Sequence, residues 1–161
     1  MGHYTSAHTV ADFVIAFSHE HGDPVSNLKL QKLLYYTQAW FLALYDRPLF
    51  DERIEAWVHG PAVPPVYGNF KEWTWQPITR EVNYPDLPNE QIASHLSEVM
   101  DVYGELTAYQ PEKLTHSEDP WKNARKGLPP DALSHEIISH DDMKRYYRAV
   151  AEAAEHGDKT R

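Results

Sequence analysis

The chain has 161 residues, a formal net charge of −9 at pH 7 and no cysteine. Its length suits one domain around a single core, and the lack of cysteine excludes disulfides, thiolate metal sites and a cysteine nucleophile. Its acidic balance, without a basic stripe that carries interleaved aromatic residues, argues against a nucleic-acid partner, because Lys and Arg contacts to phosphate supply much of that affinity.

The first predicted helix begins after Thr9, which can serve as the N-cap with Asp12 at the third helical position. Its apolar face comprises Val10, Phe13, Val14 and Phe17. The helix is expected to end at His21-Gly22, and Ser26 is a suitable N-cap for the next helix. Because the link between them is short, we expect the two helices to pack as an antiparallel pair.

The stretch from Ser26 to Tyr45 predicts a central helix, because its apolar residues cover more of the circumference than the single stripe of a surface helix. The main stripe comprises Leu30, Leu33, Leu34, Thr37, Phe41 and Leu44. The narrow arc left for water comprises Lys29, Lys32, Tyr36, Ala39 and Ala43. Gln31 and Gln38 lie between the apolar faces, where an amide without partners costs about 1–3 kcal/mol. We therefore interpret both glutamines as structural anchors.

No regular structure is expected between Gly60 and Pro65, where three prolines follow one glycine. We predict a rigid bend there. Residues 54–58, just before it, are too few to assign to a helix or a strand. The residues from Val66 to Trp73 predict a short helix behind Pro65.

Large aromatic residues are concentrated between Trp57 and Trp75, more densely than a proline-flanked loop can hide in a core of its own. Rigid aromatic side chains beside polar groups are good interface anchors, so one interpretation is a protein-binding surface. The alternative is a satellite core that covers the first two helices. The candidate partner-binding residues are Trp57, His59, Tyr67, Phe70, Lys71, Trp73 and Trp75.

Two predicted elements follow the aromatic stretch. Residues 77–84 alternate well enough for a strand or an extended arm. The apolar positions of this segment are Ile78 and Val82. A third long helix opens at Pro88 or Asn89 and runs up to Gly104. Its apolar face comprises Ile92, Leu96, Val99, Met100 and Tyr103.

A short segment at 108–116 and a two-turn helix are expected next. Asp119 as an acidic N-cap, Pro120 in the first turn and Gly127 beyond the end frame this helix. The following pair, Ile137-Ile138, predicts a brief extended piece.

The last predicted helix is capped by Ser139 with Asp142, and its polar tail at 157–161 is expected to fray. Its inward positions are Met143, Tyr146, Tyr147, Val150 and Ala154. Together these elements predict a mainly α fold over residues 1–161. We expect a compact single-domain helical bundle around a central helix, with a proline-rich bend and at most short β pieces.

No apolar run approaches the roughly 20 residues needed to cross a bilayer, because lysines and glutamines interrupt even the central helix. The N-terminus shows no charged segment followed by an apolar one, as an export leader would. We therefore expect a cytoplasmic protein without a membrane partner.

The chain carries no strong signature of an enzyme or a metal site. His135 and Glu136 begin like a zinc-binding helix, but His140 follows at the fifth position, which would set the two rings about 140° apart. No glycine-rich phosphate loop and no nucleophile elbow is present. We expect no enzyme activity, and no catalytic, cofactor-binding or metal-binding residue.

Two weaker groupings are His116 with Glu118 and Asp119, and Glu55 with Trp57 and His59. The first has the side chains for acid–base chemistry, but a local turn and a helix cap explain it better. The second would line one side of an extended stretch as a pocket wall, without the further groups that catalysis needs.

Three blocks stand out in order along the chain: LKLQKLLYYTQAW at 28–40, PLFDERIEAWVHGPAVPPVY at 48–67, and LTHSEDPWKNAR at 114–125. In residues and order they resemble the SocA-like antitoxins, also called the Panacea domain or the phage-associated protein family. The resemblance runs from about Thr9 to Tyr147, nearly the whole chain. One departure is Ala62, where many relatives carry a second valine after the HGP turn.

The resemblance implies an antitoxin, a small helical protein that neutralises a toxin encoded beside it, usually by binding it directly. Family members are paired with toxins of unrelated chemistry, so the resemblance implies the role and leaves the target open. In at least one member the same domain hands its toxin to a protease. The alternatives are therefore a protease adaptor and an enzyme that reverses the toxin's modification, while the acidic balance disfavours an operator-binding repressor.

Overall fold

We describe a computed structural model of the chain over residues 5–105 and 115–160, without the side chains of 156–160. Its helices are α1 (Ala7–Glu20), α2 (Asn27–Tyr45), α3 (Pro64–Asn69), α4 (Glu90–Tyr103), α5 (Asp119–Arg125) and α6 (His140–Thr160), with a 3-10 helix at Lys71–Trp73. The strands are β1 (Glu55–Trp57) and β2 (Gly60–Ala62). The predicted mainly α fold around a central helix is confirmed.

Helix α2 begins and ends where the sequence predicts. The Ser26 hydroxyl accepts a hydrogen bond from the Lys29 N–H at 3.2 Å, and Asp46 closes the helix in a left-handed conformation with φ of 60°. The other helices and the strands surround it, since α1, α3, α4, α6 and β2 all pack against it. The hydrophobic core of the described residues is therefore built around α2.

The predicted solvent arc of α2 is wrong, because neighbouring elements cover it. Its members Lys29, Lys32, Tyr36, Ala39 and Ala43 are all buried. Lys32 is only 1% exposed. Leu44, which the periodicity places on the core stripe, is instead 52% exposed, because the helix leaves the body of the protein near its C-terminal end.

The two buried glutamines of α2 are structural anchors, as predicted. The Gln38 carbonyl oxygen accepts from the Leu49 N–H at 2.7 Å, and its amide nitrogen donates to the Phe50 carbonyl at 2.7 Å. The Gln31 carbonyl oxygen accepts from the Val63 N–H at 2.8 Å. The side chains of α2 thus fix the course of the chain before and after the β-hairpin that β1 and β2 form.

Helix α1 starts earlier than predicted. Ser6 is the N-cap, and its hydroxyl accepts from the Thr9 N–H at 3.1 Å, so Thr9 lies inside the helix. The predicted end at His21-Gly22 is confirmed, with Gly22 at a φ of 70°. The two serines at positions 6 and 26 therefore open the first two helices in the same way.

The predicted bend between Gly60 and Pro65 contains regular structure, contrary to expectation. Strand β2 pairs antiparallel with β1, with Trp57 opposite Gly60 and Glu55 opposite Ala62. Two features make this possible: the strands are only three residues long, and Pro64 falls at the start of α3, where a missing N–H costs little.

The predicted short helix from Val66 to Trp73 is split in two. Helix α3 ends at Asn69, Phe70 interrupts it, and the 3-10 helix follows at Lys71–Trp73.

The sequence predicts a strand or an extended arm for residues 77–84. The segment forms no strand. The segment is anchored by a hydrogen bond of 2.8 Å from the Ile78 N–H to the Val25 carbonyl, and the His19 ring contacts the Ile78 carbonyl at 2.8 Å. Ile78 is buried, and Val82 is half-buried against the core.

Helix α4 agrees with its prediction. Its N-cap Asn89 accepts a hydrogen bond from the Ile92 N–H at 3.0 Å. The predicted apolar residues from Ile92 to Met100 are buried, and Tyr103 is half-buried. Most of the predicted short segment at 108–116 lies outside the described residues.

The cap of α5 differs from its prediction. Glu118 occupies the N-cap position, and Asp119 is the first helical residue with an exposed side chain. The predicted extended piece at Ile137-Ile138 is confirmed: the Ile138 N–H donates to the Ile54 carbonyl at 2.8 Å, and the Ala56 N–H to the Glu136 carbonyl at 2.8 Å.

Ser139 caps α6 as predicted, with its hydroxyl accepting from the Asp142 N–H at 3.0 Å. Met143 and Tyr147 are buried, whereas Val150 and Ala154 are exposed, contrary to prediction, because the helix extends past the end of the core. Helix α6 runs to Thr160, into the tail that we expected to fray. Within the described residues, no helix has both the length and the apolar character of a membrane span.

Gln38→Leu should destabilise the fold by about 3 kcal/mol, because it leaves the buried Leu49 N–H and Phe50 carbonyl without their partner. Urea unfolding followed by circular dichroism measures the change. The matched control is Gln91→Leu on the exposed side of α4, expected within about 0.5 kcal/mol of the parent. Equal effects of the two substitutions would contradict the anchoring role.

Candidate functional site

A buried carboxylate lies where α2, α5 and α6 meet. The Glu118 side chain turns inward from the start of α5 and is only 8% exposed. One of its oxygens, Oε1, accepts hydrogen bonds from the Tyr35 hydroxyl at 2.8 Å and the Tyr147 hydroxyl at 2.6 Å. Burial raises the pKa of Glu118, and the two tyrosine hydrogen bonds oppose that rise. Enclosed by the core, this carboxylate joins three helices and has little access to a substrate.

The tyrosines around Glu118 remain protonated, and two of them, Tyr35 and Tyr147, donate to its carboxylate. Burial, followed by the nearby Glu118 charge, raises the pKa of Tyr35 and of Tyr36 well above the ordinary range. Burial likewise raises the pKa of Tyr147. The Tyr36 ring stacks on Tyr103 with centroids 3.9 Å apart, which extends the cluster to α4.

The hairpin approaches α2 closely at Gly60. This residue has a φ of 114°, and a Cβ atom there would lie 2.8 Å from Cε of the buried Lys32 and 3.0 Å from the Thr115 hydroxyl. Both the backbone conformation and the lack of space therefore require glycine. The close approach seats β2 on the central helix.

Arg125 ties α5 to the hairpin from the other side. Its buried guanidinium donates to the Ala56 carbonyl at 3.1 Å, to the Pro129 carbonyl at 2.8 Å and to the Ala132 carbonyl. It also lies over the Trp121 ring, 4.6 Å from the centroid. By donating to main-chain carbonyls of both segments, this cation links β1 to the loop after α5.

Four of the candidate partner-binding residues form ring contacts at the hairpin. Trp57 makes an edge-to-face contact with Tyr67 at a centroid distance of 5.0 Å, and its indole N–H donates to Glu55 at 2.9 Å. His59, exposed in the turn, contacts the Trp75 ring at 5.6 Å. Trp75 is 53% exposed. The structure thus brings these four rings together in two pairs, Trp57 with Tyr67 and His59 with Trp75.

Phe70 is a correction to the predicted contact residues. It is only 2% exposed, because its ring enters the hydrophobic core, so it cannot present a surface to a partner. It supports Trp73 instead, at a ring distance of 6.3 Å, and the Arg80 guanidinium lies within 5.1 Å of both ring centroids. Lys71 beside them is exposed.

The predicted pocket wall of Glu55, Trp57 and His59 does not form as a unit, since His59 pairs with Trp75 instead. Glu55 is buried and accepts hydrogen bonds from Trp57 at 2.9 Å and from Arg53 at 2.8 Å, while His135 lies 3.3 Å away. Burial alone would raise the pKa of Glu55, but these three hydrogen bonds and the Arg53 charge lower it overall.

The other predicted grouping is not brought together either. The His116 ring stacks on Trp121 at 4.1 Å, the Glu118 carboxylate points into the core, and Asp119 is exposed. Across the residues that the structure describes, no three histidine, aspartate or glutamate side chains are grouped as a possible metal site.

The sequence reasoning missed the hydrogen-bonded cluster of Glu118, Tyr35 and Tyr147, and the role of Arg125 in linking α5 to the hairpin. The only signal was polar residues at positions that the helical pattern makes apolar, and that signal names no partner. Hydrogen bonds across a gap of 83 residues, as between Tyr35 and Glu118, depend on the tertiary fold.

The profile described as "Antitoxin SocA-like, Panacea domain" matches residues 30–122, more than half of the chain. The chain belongs to this family. A relative, "Antitoxin SocA" of Caulobacter vibrioides (strain NA1000 / CB15N), is 51% identical over 47 residues. That segment covers 29% of this chain and 25% of the relative, so the chain spans about a quarter of the curated relative's length. No solved structure matches.

The family match covers the hairpin with its aromatic residues and part of the cluster around Glu118. It begins inside α2 and includes the hairpin, α3, the aromatic residues up to Trp75 and α4, and it ends within α5. Glu118 lies inside the match, whereas Arg125 and Tyr147 follow it. Membership in an antitoxin family favours a non-enzymatic role.

Gly60→Ala should destabilise the protein by about 3 kcal/mol, because it combines a strained backbone with a clash against Lys32. Thermal unfolding measures the loss. Gly68→Ala is the matched control: nothing lies within 4 Å of a Cβ there, and the position is helical, so we expect about 0.5–1 kcal/mol of stabilisation. Similar losses in both variants would contradict the close approach.

Glu118→Gln should change how stability depends on pH. The folded-state pKa of Glu118 is raised, so its contribution is present near the ordinary value of 4.5 and is lost as the pH rises through the raised pKa. The stability of the parent relative to the variant should therefore fall as the pH rises above 4.5, until the raised pKa of Glu118 is passed. Urea unfolding across this range measures it, with the exposed Glu152→Gln as the charge-matched control. A difference that does not vary with pH would contradict the burial of this carboxyl.

Proposed function

We propose that this protein is an antitoxin that neutralises a cognate protein toxin by binding it directly. Membership in the SocA-like antitoxin family is the observation that carries the proposal. A blocking complex must hold the toxin at cellular concentrations, which calls for a dissociation constant in the nanomolar range, about −12 kcal/mol.

A preformed group of exposed and half-exposed rings supports direct binding. We define the aromatic surface as Trp57, His59, Tyr67, Lys71, Trp73 and Trp75. Trp57 lies in β1, Tyr67 in α3, and Lys71 and Trp73 in the 3-10 helix, whereas His59 lies in the hairpin turn and Trp75 follows the 3-10 helix. Strand β2 and helix α3 pack on α2, and β1 pairs with β2. Aromatic side chains that are already fixed lose little conformational freedom on binding, which favours affinity.

The hydrogen bonds beneath this surface keep it in place. Trp57 is fixed at its indole N–H by Glu55, and the Trp57 carbonyl accepts from the Trp121 indole at 2.8 Å. Trp73 is held between Phe70 and Arg80. Trp75 is the most exposed of the three tryptophans in the set and is therefore the first candidate for an anchor in a toxin pocket.

Trp75→Ala combined with Lys71→Glu should weaken toxin binding 10- to 100-fold without changing the unfolding midpoint, because both side chains are exposed. The toxin to test is the product of the neighbouring reading frame, purified and measured by calorimetry against each variant. Tyr84→Ala is the matched control, since it removes an exposed ring that rests on Phe13 of α1.

Unchanged affinity in the double variant would place the binding surface elsewhere.

A separate experiment decides between direct blocking and delivery to a protease: the toxin and this protein are expressed together in cells that lack individual ATP-dependent proteases. Direct blocking predicts full protection in every strain. Loss of protection in one strain would assign the adaptor role and overturn the proposal.

A further inference from the structure

A second apolar surface lies between α2 and α4, built from elements other than those of the aromatic surface. We define the α2–α4 groove by its lining residues: Trp40, Leu44, His95, Glu98, Val99, Val102 and Tyr103. Its volume is about 220 Å³, and apolar atoms form most of its wall. Leu44 is 52% exposed and Val102 is 66% exposed, so two large aliphatic side chains border the same opening.

The floor of the groove is rigid and neutral. The Trp40 indole donates to the Tyr103 hydroxyl at 2.9 Å, and Tyr103 stacks on the buried Tyr36. The His95 ring is buried against Phe41, and its Nε2 atom lies 2.8 Å from the Thr37 carbonyl. Burial lowers the pKa of His95, which keeps the ring uncharged at neutral pH. The groove is thus already formed before any partner arrives.

The rim of the groove carries a carboxylate. Glu98 is exposed and lines the opening. Among the described residues Glu98 takes part in no ion pair, and the cations Lys144 and Arg148 on α6 both face Asp46. A second copy of this chain would bring the same carboxylate and another net charge of −9. The charge therefore favours a basic occupant.

The size of a blocking interface also calls for a second contact. A stable complex buries about 1,200–2,000 Å² in total and uses roughly 20–30 residues on each side. The aromatic surface has six residues. An interface of that size extends beyond these six residues, and the α2–α4 groove offers exposed aliphatic side chains over an aromatic floor.

We propose that the α2–α4 groove docks a segment of the toxin that inserts apolar side chains and carries Lys or Arg beside them. This inference rests on the proposed function, because it assigns the groove to the same toxin. The apolar side chains fill the space between Trp40 and Val102, and a basic residue meets Glu98 at the rim.

Site-specific photo-crosslinking tests the docking. Benzoylphenylalanine replaces Val102, Trp75 or Tyr84 in separate variants of the full chain, each mixed with the purified product of the neighbouring reading frame. We expect the Val102 variant to crosslink to a toxin peptide that contains apolar residues next to Lys or Arg. The Tyr84 variant, whose ring rests on α1, should give no crosslink.

The other outcomes separate the two proposals. Toxin crosslinks from Trp75 alone would overturn the groove inference and leave the proposed function standing. Crosslinks from Val102 to another copy of this chain would overturn it in favour of self-association. An absence of any toxin binding by the unmodified proteins in calorimetry would overturn both.

Substitutions in the groove provide the quantitative arm. Val102→Glu should weaken toxin binding at least tenfold, since it places a charge in the apolar wall against which the apolar side chains of the docked segment pack. Leu133→Glu is the matched control, because it makes the same kind of change at an exposed apolar residue outside the groove. Glu98→Lys should weaken binding several-fold at low salt and less at high salt. Salt-independent or unchanged affinity in Glu98→Lys would contradict the basic character of the docked segment.

Discussion

From Asn27 to Ala39 every side chain of α2 is buried, so its polar groups depend on partners inside the protein, and among those described here only the Tyr36 hydroxyl of this stretch is left without a hydrogen bond. Gln31 and Gln38 bind the main chain on both sides of the hairpin, and Tyr35 reaches the carboxylate of Glu118. Lys29 donates to the Gly104 carbonyl at the end of α4. These bonds help to fix the segments that surround the helix, because an unsatisfied buried group costs about 1–3 kcal/mol.

The enclosure of α2 determines where exposed apolar residues can occur. Around the enclosed part, the hairpin, α3 and the 3-10 helix turn their inner residues, such as Val63 and Phe70, into the core and leave the tryptophans at the outside. Near its C-terminal end, α2 leaves that enclosure and exposes Leu44 beside α4. Both apolar surfaces of the protein are therefore held by the same scaffold, which suits binding without rearrangement.

Helical periodicity and capping residues predicted α2, α4 and α6 and the mainly α fold, because these signals are local. Serine, asparagine and proline at helix starts identified most boundaries, and where Ser6 replaced Thr9 as a cap the shift was only a few residues. The β-hairpin was missed because three-residue strands carry no periodic pattern, and because Pro61 within β2 and Pro64 just behind it are residues that usually break regular structure. Local patterns also could not show that Lys32 is buried, since that depends on the hairpin that covers it.

For the candidate site, the sequence identified the aromatic residues but could not sort them. Phe70 and Trp75 differ little by local pattern, yet one enters the core and the other is more than half exposed. The α2–α4 groove could not be predicted from the sequence for a related reason. Periodicity assigned Leu44 to the core stripe, but the position of α4 and the end of the helix bundle leave this residue at the surface.

A protein that works by covering another must be present in at least the same amount, whereas an enzyme that repairs the toxin's damage works in trace quantities. The most direct measurement is therefore a titration of the purified toxin with this protein, in which residual toxin activity is followed against the molar ratio of the two. Direct neutralisation predicts that activity falls in proportion to the added protein and reaches zero at a fixed stoichiometric ratio. Complete loss of toxicity at a small fraction of that ratio would contradict the account.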